Sequence, residues 1–181
     1  MEPNLKERIF GLDVLRATAI IMVVSSHVLW IYPKSNAFIP TLFELFGFWG
    51  VELFFVLSGF LIGSILYKTF VNENFTLNSV FHFLKRRWFR TLPNYYLVLI
   101  LNILIAFFLG FSIENAGSYF LFLQNFASKS PAFFPESWSL SIEEFTYLLL
   151  PFSLFFVGLS KMKDKSKLFL LVIVALILVF W

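Results

Sequence analysis

The strongest constraint on this chain is a series of long apolar stretches, each close to the length that crosses a lipid bilayer. A helix needs about 20 apolar residues to span about 30 Å of hydrocarbon. Four stretches reach this length, and a fifth is still apolar at the last residue of the sequence. They cover, approximately, residues 12–31, 46–67, 92–111, 138–159 and 168–181. These lengths predict an integral membrane protein.

The composition favours the same interpretation. Only 14% of the 181 residues are charged, whereas a soluble domain has about 25%, and the mean hydropathy is +0.83. The 27 Phe and 5 Trp residues suit lipid-facing surfaces and interfacial belts. The chain has no cysteine, which excludes disulfides, thiolate metal ligands and a cysteine acyl intermediate. The net charge of +3 is modest and unevenly placed, so we interpret it as topology information and expect no nucleic-acid partner.

We therefore predict an all-α fold, a polytopic transmembrane helical bundle of about five spans with no second domain. The first apolar stretch is longer than the hydrophobic region of a signal peptide, and no small-residue cleavage site follows it, so we expect a retained anchor. Because the last stretch is apolar to the final residue, we expect the chain to be a fragment of something longer.

Residues 118–127, SYFLFLQNFA, reach only about half the length of a crossing helix. Loops with an excess of Lys and Arg lie in the cytoplasm, and the basic segments fall on one side only if residues 118–127 do not cross. We therefore predict a short re-entrant or interfacial segment here, a cytoplasmic amino terminus, and Lys129 outside. The basic residues behind this argument are Lys6, Arg8, Lys68, Lys85, Arg86, Arg87, Arg90, Lys161, Lys163, Lys165 and Lys167.

Two ionisable side chains, Arg16 and His27, lie within the first apolar stretch. Residues eleven apart in a helix are separated by roughly 16 Å along the axis and about 20° around it, so the two are predicted to share one face. A charge at mid-membrane costs on the order of 3 kcal/mol, and such residues usually face a polar cavity and mark function. Alternatively, Arg16 snorkels and pairs with Asp13, and His27 forms a helix-to-helix hydrogen bond.

The other charges next to the apolar stretches form an acidic and a basic group. They are Glu52 at the start of the second stretch, Glu143 and Glu144 at the start of the fourth, and Arg86, Arg87 and Arg90 before Pro93, where the third span can start. This pattern predicts a cationic inner mouth and, deeper, an imidazole near carboxylates. Alternatively, the arginines are only topology anchors, and Glu144 is a helix-start residue favoured by the helix dipole. His82, beside the basic segment, is interpreted as an interfacial residue.

These residue types fit one kind of chemistry. Arginine side chains bind phosphates as planar forks, and a neutral imidazole oriented by a carboxylate can take a proton from a hydroxyl. Acyl-coenzyme A joins a polyphosphate nucleotide to a pantetheine arm comparable in length to the spacing of Arg16 and His27. The same charges also fit a transporter or channel segment that lines a substrate path, or a non-catalytic membrane fragment whose charges serve assembly alone.

At these residues the sequence resembles the acyltransferase 3 family of integral-membrane acyltransferases. GLDVLRATAIIMVVSSHV contains the family's arginine-x10-histidine signature as Arg16 and His27. WGVELFFVLSGFLIG is similar to its second block, with Ser58, Gly59 and Gly63 as small packing positions. FLKRRWFRTLP is similar to its basic loop, and PESWSLSIEEFTYLLLP to its Ser-Leu-x-x-Glu-Glu block. The sequence departs from the family pattern at Phe145 and Thr146, which follow the two glutamates.

The resemblance runs through essentially all of residues 1–181 but covers about the first half of a domain that usually has about ten helices. It implies transfer of an acyl group, often acetyl, from cytoplasmic acyl-CoA to a hydroxyl of an extracytoplasmic glycan or similar cell-envelope acceptor. It also implies that His27 is essential and that Arg16, Arg86, Arg87 and Arg90 bind the donor. We expect His27 to act as a base or a transient acyl carrier, Glu143 to orient it, with Glu52 as a second candidate, and no metal to take part.

Overall fold

Every element in the described part of the chain is a helix. The computed structural model describes residues 9–28, 38–72, 74–113, 115–127, 133–160 and 164–180. The predicted all-α fold class is confirmed. In chain order the helices are α1 (Phe10–Val28), α2 (Phe38–Asn72), α3 (Leu77–Leu109), α4 (Ala116–Phe120), α5 (Gln124–Ala127), α6 (Trp138–Gly158) and α7 (Lys165–Phe180), with a 3₁₀ turn at Pro135–Ser137 before α6.

Four helical segments in the described ranges are long and apolar enough to cross a membrane. They are Phe10–Val28, Pro40–Asn72, Leu77–Leu109 and Pro135–Gly158, and they correspond to the first four predicted spans. The predicted fifth span falls on α7, whose 16 residues extend about 24 Å, less than a full crossing. Parts of the predictions lie outside the described residues, namely 29–31 and 181 of the spans, and Lys6, Arg8, Lys129, Lys161 and Lys163.

Helix α3 begins well before the apolar stretch that predicted it. It begins at Leu77 and contains Pro93 in its interior, so the expectation that Pro93 starts this span is wrong. The physical reason is that Arg and Lys are good helix formers, which lets the helix continue through the basic segment. Its first turn is supported by the Thr76 backbone N–H, which donates to Ser79 Oγ at 3.3 Å, as in one half of a capping box.

The chain divides into two compact units, Met1–Ser64 and Ile65–Trp181. In the first unit, α1 and α2 approach closely at two glycines. A Cβ atom at Gly47 would lie 2.5 Å from Ser26 Oγ, and one at Gly50 would lie 2.8 Å from Val23 and 2.9 Å from the Ala19 carbonyl oxygen. Small residues at such contacts let membrane helices pack backbone to backbone.

The predicted packing positions Gly59 and Gly63 do not make this kind of contact. Apart from the nearby backbone of α2 itself, no atom of the described residues lies within 4 Å of a Cβ built at either residue. Gly47 and Gly50, one turn apart, have this role in the described part of α2 instead. The sequence alone did not separate the two glycine pairs because both have helical spacing.

In the second unit, α6 lies between α3 and α7. The end of α2 joins this group, since Tyr67 Oη lies 3.1 Å from Ser166 Oγ and its ring meets Phe169 edge to face. Helix α7 begins at a cap, because the Lys167 backbone N–H donates to Asp164 Oδ1 at 3.1 Å. That hydrogen bond lowers the pKa of the Asp164 carboxyl, as expected for an anion at a helix amino terminus.

Residues 115–127, called the hairpin below, form the five-residue α4, a turn and the four-residue α5. The prediction that residues 118–127 form no crossing helix is confirmed, while the place of the hairpin relative to a membrane stays a prediction. Tyr95 Oη donates to the Tyr119 carbonyl at 2.8 Å, although Tyr95 lies fourteen residues before the end of α3, roughly 21 Å along its axis. The chain therefore turns back along α3 before α6 begins.

Polar side chains satisfy the irregular backbone of the hairpin and of the start of α6. Tyr96 Oη donates to the Phe120 carbonyl at 3.0 Å, and Ser141 Oγ donates to the Phe122 carbonyl. In return, Gln124 Nε2 donates to the Ser137 carbonyl at 3.1 Å and Asn125 Nδ2 to the Trp138 carbonyl at 2.9 Å. Non-helical backbone is tolerated at membrane depth only when protein groups supply such bonds.

The glycine contact between α1 and α2 generates a stability prediction. Gly50→Ala is expected to destabilise the protein by about 1–3 kcal/mol, because the added methyl group overpacks against Val23 and the Ala19 carbonyl. The measurement is the thermal unfolding midpoint of the purified protein in detergent.

Gly63→Ala is the matched control in the same helix, because its methyl group has open space. It is expected to keep or raise the midpoint, since Ala has the higher helix propensity. Equal midpoints for the two variants would contradict the proposed contact.

Candidate functional site

Helix α1 carries Arg16 and His27 without interruption. Their predicted geometry, roughly 16 Å apart along the axis and about 20° apart around it, therefore holds for the observed helix. Arg16 Nη1 donates to Asp13 Oδ1 at 3.1 Å, with 39% and 38% of the two side chains exposed. The predicted pairing with Asp13 is thus present, but it uses a single N–H of a guanidinium that has five.

The His27 ring is held by the backbone of its own helix. Its Nδ1 lies 2.7 Å from the Val23 carbonyl oxygen and 3.4 Å from Ser26 Oγ. Because a carbonyl oxygen only accepts, this contact assigns the proton to Nδ1 and leaves the lone pair of the neutral ring on Nε2. An imidazole in this tautomer can take a proton at Nε2.

The three arginines of the basic segment have different surroundings. Arg86 and Arg90 are exposed, whereas Arg87 is partly buried. The Arg87 guanidinium carbon lies 4.7 Å from the centroid of the Tyr147 ring on α6, within the range of a cation–π interaction. One arginine is therefore held by a neighbouring helix, while Arg86 and Arg90 make no ion pair with any described residue.

Glu144 connects α6 to the same turn of α3. Its carboxylate accepts from Trp88 Nε1 at 3.0 Å and from Thr91 Oγ1 at 3.3 Å, and only 3% of the residue is exposed. Hydrogen bonds to a charged acceptor are about twice as strong as neutral ones. We call this contact of Glu144 with Trp88 and Thr91 the carboxylate clasp.

The interpretation of Glu144 as a helix-start residue is wrong. Helix α6 begins at Trp138, and its first turn contains no acidic residue. Glu144 lies in the second turn and faces α3, so its partners are side chains rather than the helix dipole. The α6 residues that meet α3 further along are Tyr147 against Arg87 and Phe152 against Phe81, so the basic turn lies opposite the middle of α6.

Glu143 occupies a different environment from its neighbour. It is partly exposed, and Tyr147 Oη donates to its Oε2 at 2.7 Å. Tyr147 therefore contacts Arg87 through its ring and Glu143 through its hydroxyl. One cation and one carboxylate thus contact the same buried phenol. Glu52 is exposed on α2 and has no hydrogen bond or ion pair with the rest of the described chain.

The predicted site residues fall into both units. Arg16, His27 and Glu52 belong to the first unit, and Glu143, Arg86, Arg87 and Arg90 to the second. The contact of Glu143 with His27 therefore stays a prediction, and within the first unit the partner of Nδ1 is the Val23 carbonyl. No group of three or more His, Asp or Glu side chains suited to a metal ion occurs among the described residues.

Sequence reasoning missed the residues that organise the second unit, namely Trp88, Thr91, Tyr147, Gln124 and Ser141. Trp88, Thr91 and Tyr95 follow one another at helical spacing, which was a signal for a common face. Their partner could not be found the same way, because Trp88 and Glu144 are 56 residues apart.

Residues 9–181 match the acyltransferase 3 family, which is described as an acyltransferase domain. The chain belongs to this family. The predicted membership of this family is therefore confirmed.

Three similar proteins carry related names. A Bacillus subtilis protein named provisionally as the peptidoglycan O-acetyltransferase YrhL is 33% identical over 177 residues, which is 87% of this chain and 25% of that protein. The peptidoglycan O-acetyltransferase OatA of Listeria monocytogenes is 30% identical over 185 residues, or 92% and 27%. The O-acetyltransferase OatA of Staphylococcus aureus is 30% identical over 188 residues, or 92% and 28%.

The chain thus spans about a quarter of the length of these relatives. No solved structure gives a significant match.

The carboxylate clasp generates the prediction for this site. Glu144→Ala is expected to destabilise the protein by about 1–3 kcal/mol, because the Trp88 indole N–H loses its acceptor inside the helix interface, whereas Thr91 Oγ1 can still donate to the Arg87 carbonyl at 3.1 Å. The thermal unfolding midpoint in detergent measures this effect.

Glu52→Ala is the control, because it removes an exposed carboxylate that makes no hydrogen bond or ion pair with the described residues. A drop in the midpoint as large for Glu52→Ala as for Glu144→Ala would contradict the assignment of the clasp to Glu144.

Proposed function

We propose that this chain is part of a membrane-embedded O-acyltransferase that moves an acetyl or other acyl group from cytoplasmic acyl-CoA to a hydroxyl of a cell-envelope glycan. The observation that carries the proposal is the α1 geometry, in which His27 Nδ1 is bonded to a backbone carbonyl and Arg16 lies on the same helix. The names of the relatives, which are O-acetyltransferases of peptidoglycan in two cases, support a glycan acceptor.

In this proposal the arginines hold the phosphates of the donor. Arg16, Arg86 and Arg90 keep exposed or half-exposed guanidinium groups, and guanidinium forks match phosphate oxygens. Arg87 is fixed by the Tyr147 ring, so less side-chain entropy is lost when it binds an anion. A donor held this way would keep its nucleotide at the cytoplasmic side and extend its thioester along the pantetheine arm.

The reaction follows from the tautomer of His27. The His27 Nε2 atom takes the proton of the acceptor hydroxyl while the hydroxyl oxygen attacks the thioester carbonyl carbon, which forms the new C–O bond. The C–S bond then breaks, and the leaving thiolate takes the proton from the imidazolium, so the products are an ester and free coenzyme A. In the alternative route Nε2 attacks the thioester carbonyl, the C–S bond breaks, and coenzyme A leaves as the thiolate; the acceptor oxygen then takes the acyl group from Nε2, and the hydroxyl proton passes to the thiolate.

The roles of Glu143 and Glu52 in this scheme are orienting ones. A carboxylate near the ring would stabilise the imidazolium that forms when Nε2 takes the proton. Glu143 is the first candidate because it already accepts a hydrogen bond from Tyr147, and Glu52 is the second. The protein is proposed to act in the cell membrane, with a cytoplasmic amino terminus.

The catalytic proposal predicts that His27→Ala abolishes acetyl transfer. General base catalysis contributes about 10²–10⁴-fold to a rate, so the intact protein should lose at least about a hundredfold in consumption of acetyl-CoA. The measurement is release of free thiol from acetyl-CoA by the purified protein in the presence of peptidoglycan fragments.

His82→Ala is the matched control, because His82 is an exposed histidine on α3 outside the proposed machinery. Turnover should be unchanged in this variant. Unchanged turnover in His27→Ala would remove the mechanism, and solute uptake into proteoliposomes without consumption of acetyl-CoA would favour a transporter instead.

The proposed orientation generates a prediction for cysteine labelling, because residues 1–181 contain no cysteine that would compete with an introduced one. A cysteine at position 129 (Lys129→Cys) should react with a membrane-impermeant maleimide from outside intact cells, whereas Lys85→Cys should react only after permeabilisation. The reverse pattern would overturn the proposed topology, because it would place the basic segment outside.

A further inference from the structure

The two amide side chains of the hairpin are fixed in orientation by what they donate to. Gln124 Nε2 donates to the Ser137 carbonyl at 3.1 Å and lies 3.2 Å from Ser137 Oγ. Asn125 Nδ2 donates to the Trp138 carbonyl at 2.9 Å. A carbonyl oxygen cannot donate, so turning either amide over would set two acceptor oxygens against each other. The amide oxygens of both residues therefore point away from the start of α6.

Both amide oxygens are buried without a hydrogen-bond donor from the described chain. They are Gln124 Oε1 and Asn125 Oδ1, and Gln124 is only 1% exposed. An unsatisfied buried acceptor destabilises a folded protein, and such groups are rare enough that each calls for an explanation. Two of them on successive residues point to a ligand that donates two hydrogen bonds.

Backbone strain lies next to these oxygens. Phe122 has a φ of 58°, a left-handed conformation that is uncommon for a bulky side chain. Its ring is held against Tyr95 at a centroid distance of 4.7 Å, and its carbonyl accepts from Ser141. Strain of this kind is unfavourable and clusters at sites where a ligand binds or a segment moves.

We propose that residues 122–125 form a subsite for the acceptor, in which Gln124 Oε1 and Asn125 Oδ1 accept hydrogen bonds from two hydroxyl groups of a sugar. This inference rests on the proposed function, since it takes a glycan as the acceptor. Two neutral acceptors fit neutral hydroxyl donors, whereas a phosphate or an ionised carboxylate would bring only further acceptors.

The surroundings of the subsite fit the same ligand class. Phe126 follows Asn125, is 70% exposed, and packs edge to face against Phe145 at 4.9 Å, so it offers an apolar ring to the C–H face of a sugar. Arg90 lies five residues before Tyr95 on α3, roughly 7.5 Å along the axis. The Tyr95 hydroxyl bonds the Tyr119 carbonyl, so the hairpin that carries the amide pair is anchored one to two turns from the basic turn proposed to hold the donor.

Access to the subsite requires the hairpin to move. Both oxygens are covered by protein atoms, and the hairpin is built from two helices of five and four residues. Phe122 lies two residues before Gln124 and has the left-handed φ, so a shift of residues 122–125 has the means to relax this strain as the ligand binds. Binding of the sugar is therefore coupled to displacement of residues 122–125.

The test measures binding of a soluble peptidoglycan disaccharide to the intact protein by thermal shift, independently of turnover. Gln124→Met and Asn125→Leu should each raise the dissociation constant about tenfold, the equivalent of about 1.4 kcal/mol. Ser141→Ala is the control, because it loosens the same hairpin but keeps both amide oxygens, and its affinity should equal or exceed that of the unmodified protein.

The subsite is overturned if the unmodified protein does not bind the disaccharide, if both amide variants bind it normally, or if Ser141→Ala weakens binding as much as they do. If Gln124→Met does not fold, Asn125→Leu alone tests the subsite, because a substitution at the partly buried Asn125 disturbs the fold less. If the protein binds the disaccharide but leaves acetyl-CoA intact, the proposed function is contradicted and the subsite is supported. If the protein consumes acetyl-CoA but both amide variants bind the disaccharide normally, the proposed function is supported and the subsite is contradicted.

Discussion

A backbone carbonyl that is buried outside a regular helix needs a donor from another part of the protein, and this constraint governs the second unit. The hairpin is too short to satisfy itself as a helix, so its carbonyls at Tyr119, Phe120 and Phe122 accept from hydroxyl groups of α3 and α6. In turn, the side-chain amides of Gln124 and Asn125 donate to the Ser137 and Trp138 carbonyls at the start of α6. These five bonds tie three chain segments together and fix where α6 begins.

The position of α6 in turn determines the surroundings of the basic turn. Because α6 begins at the hairpin, its second turn faces Trp88 and Thr91, and its third turn faces Arg87. Glu144 is buried by this register, whereas Glu143 is left at the edge. One helix, α3, therefore carries the exposed cations, the carboxylate clasp and the hairpin anchor in order along about two and a half turns.

The sequence was informative about the elements and less so about their partners. Apolar length is a local property, so the first four spans could be predicted, and the charge distribution indicated that residues 118–127 do not cross. The start of α3 was missed because hydropathy does not record that a basic segment can still be helical. The clasp and the amide pair were missed because they depend on side chains brought together from positions 56 and 13 residues apart.

In the proposed function a donor on the cytoplasmic face supplies an acyl group to a hydroxyl acceptor through the membrane-embedded helices. The most direct test reconstitutes the intact protein into sealed vesicles in a single orientation, with radiolabelled acetyl-CoA on one side and peptidoglycan fragments on the other. Labelled ester is expected on the fragments only when acetyl-CoA faces the amino terminus. Label appearing only when donor and acceptor share one side would contradict it.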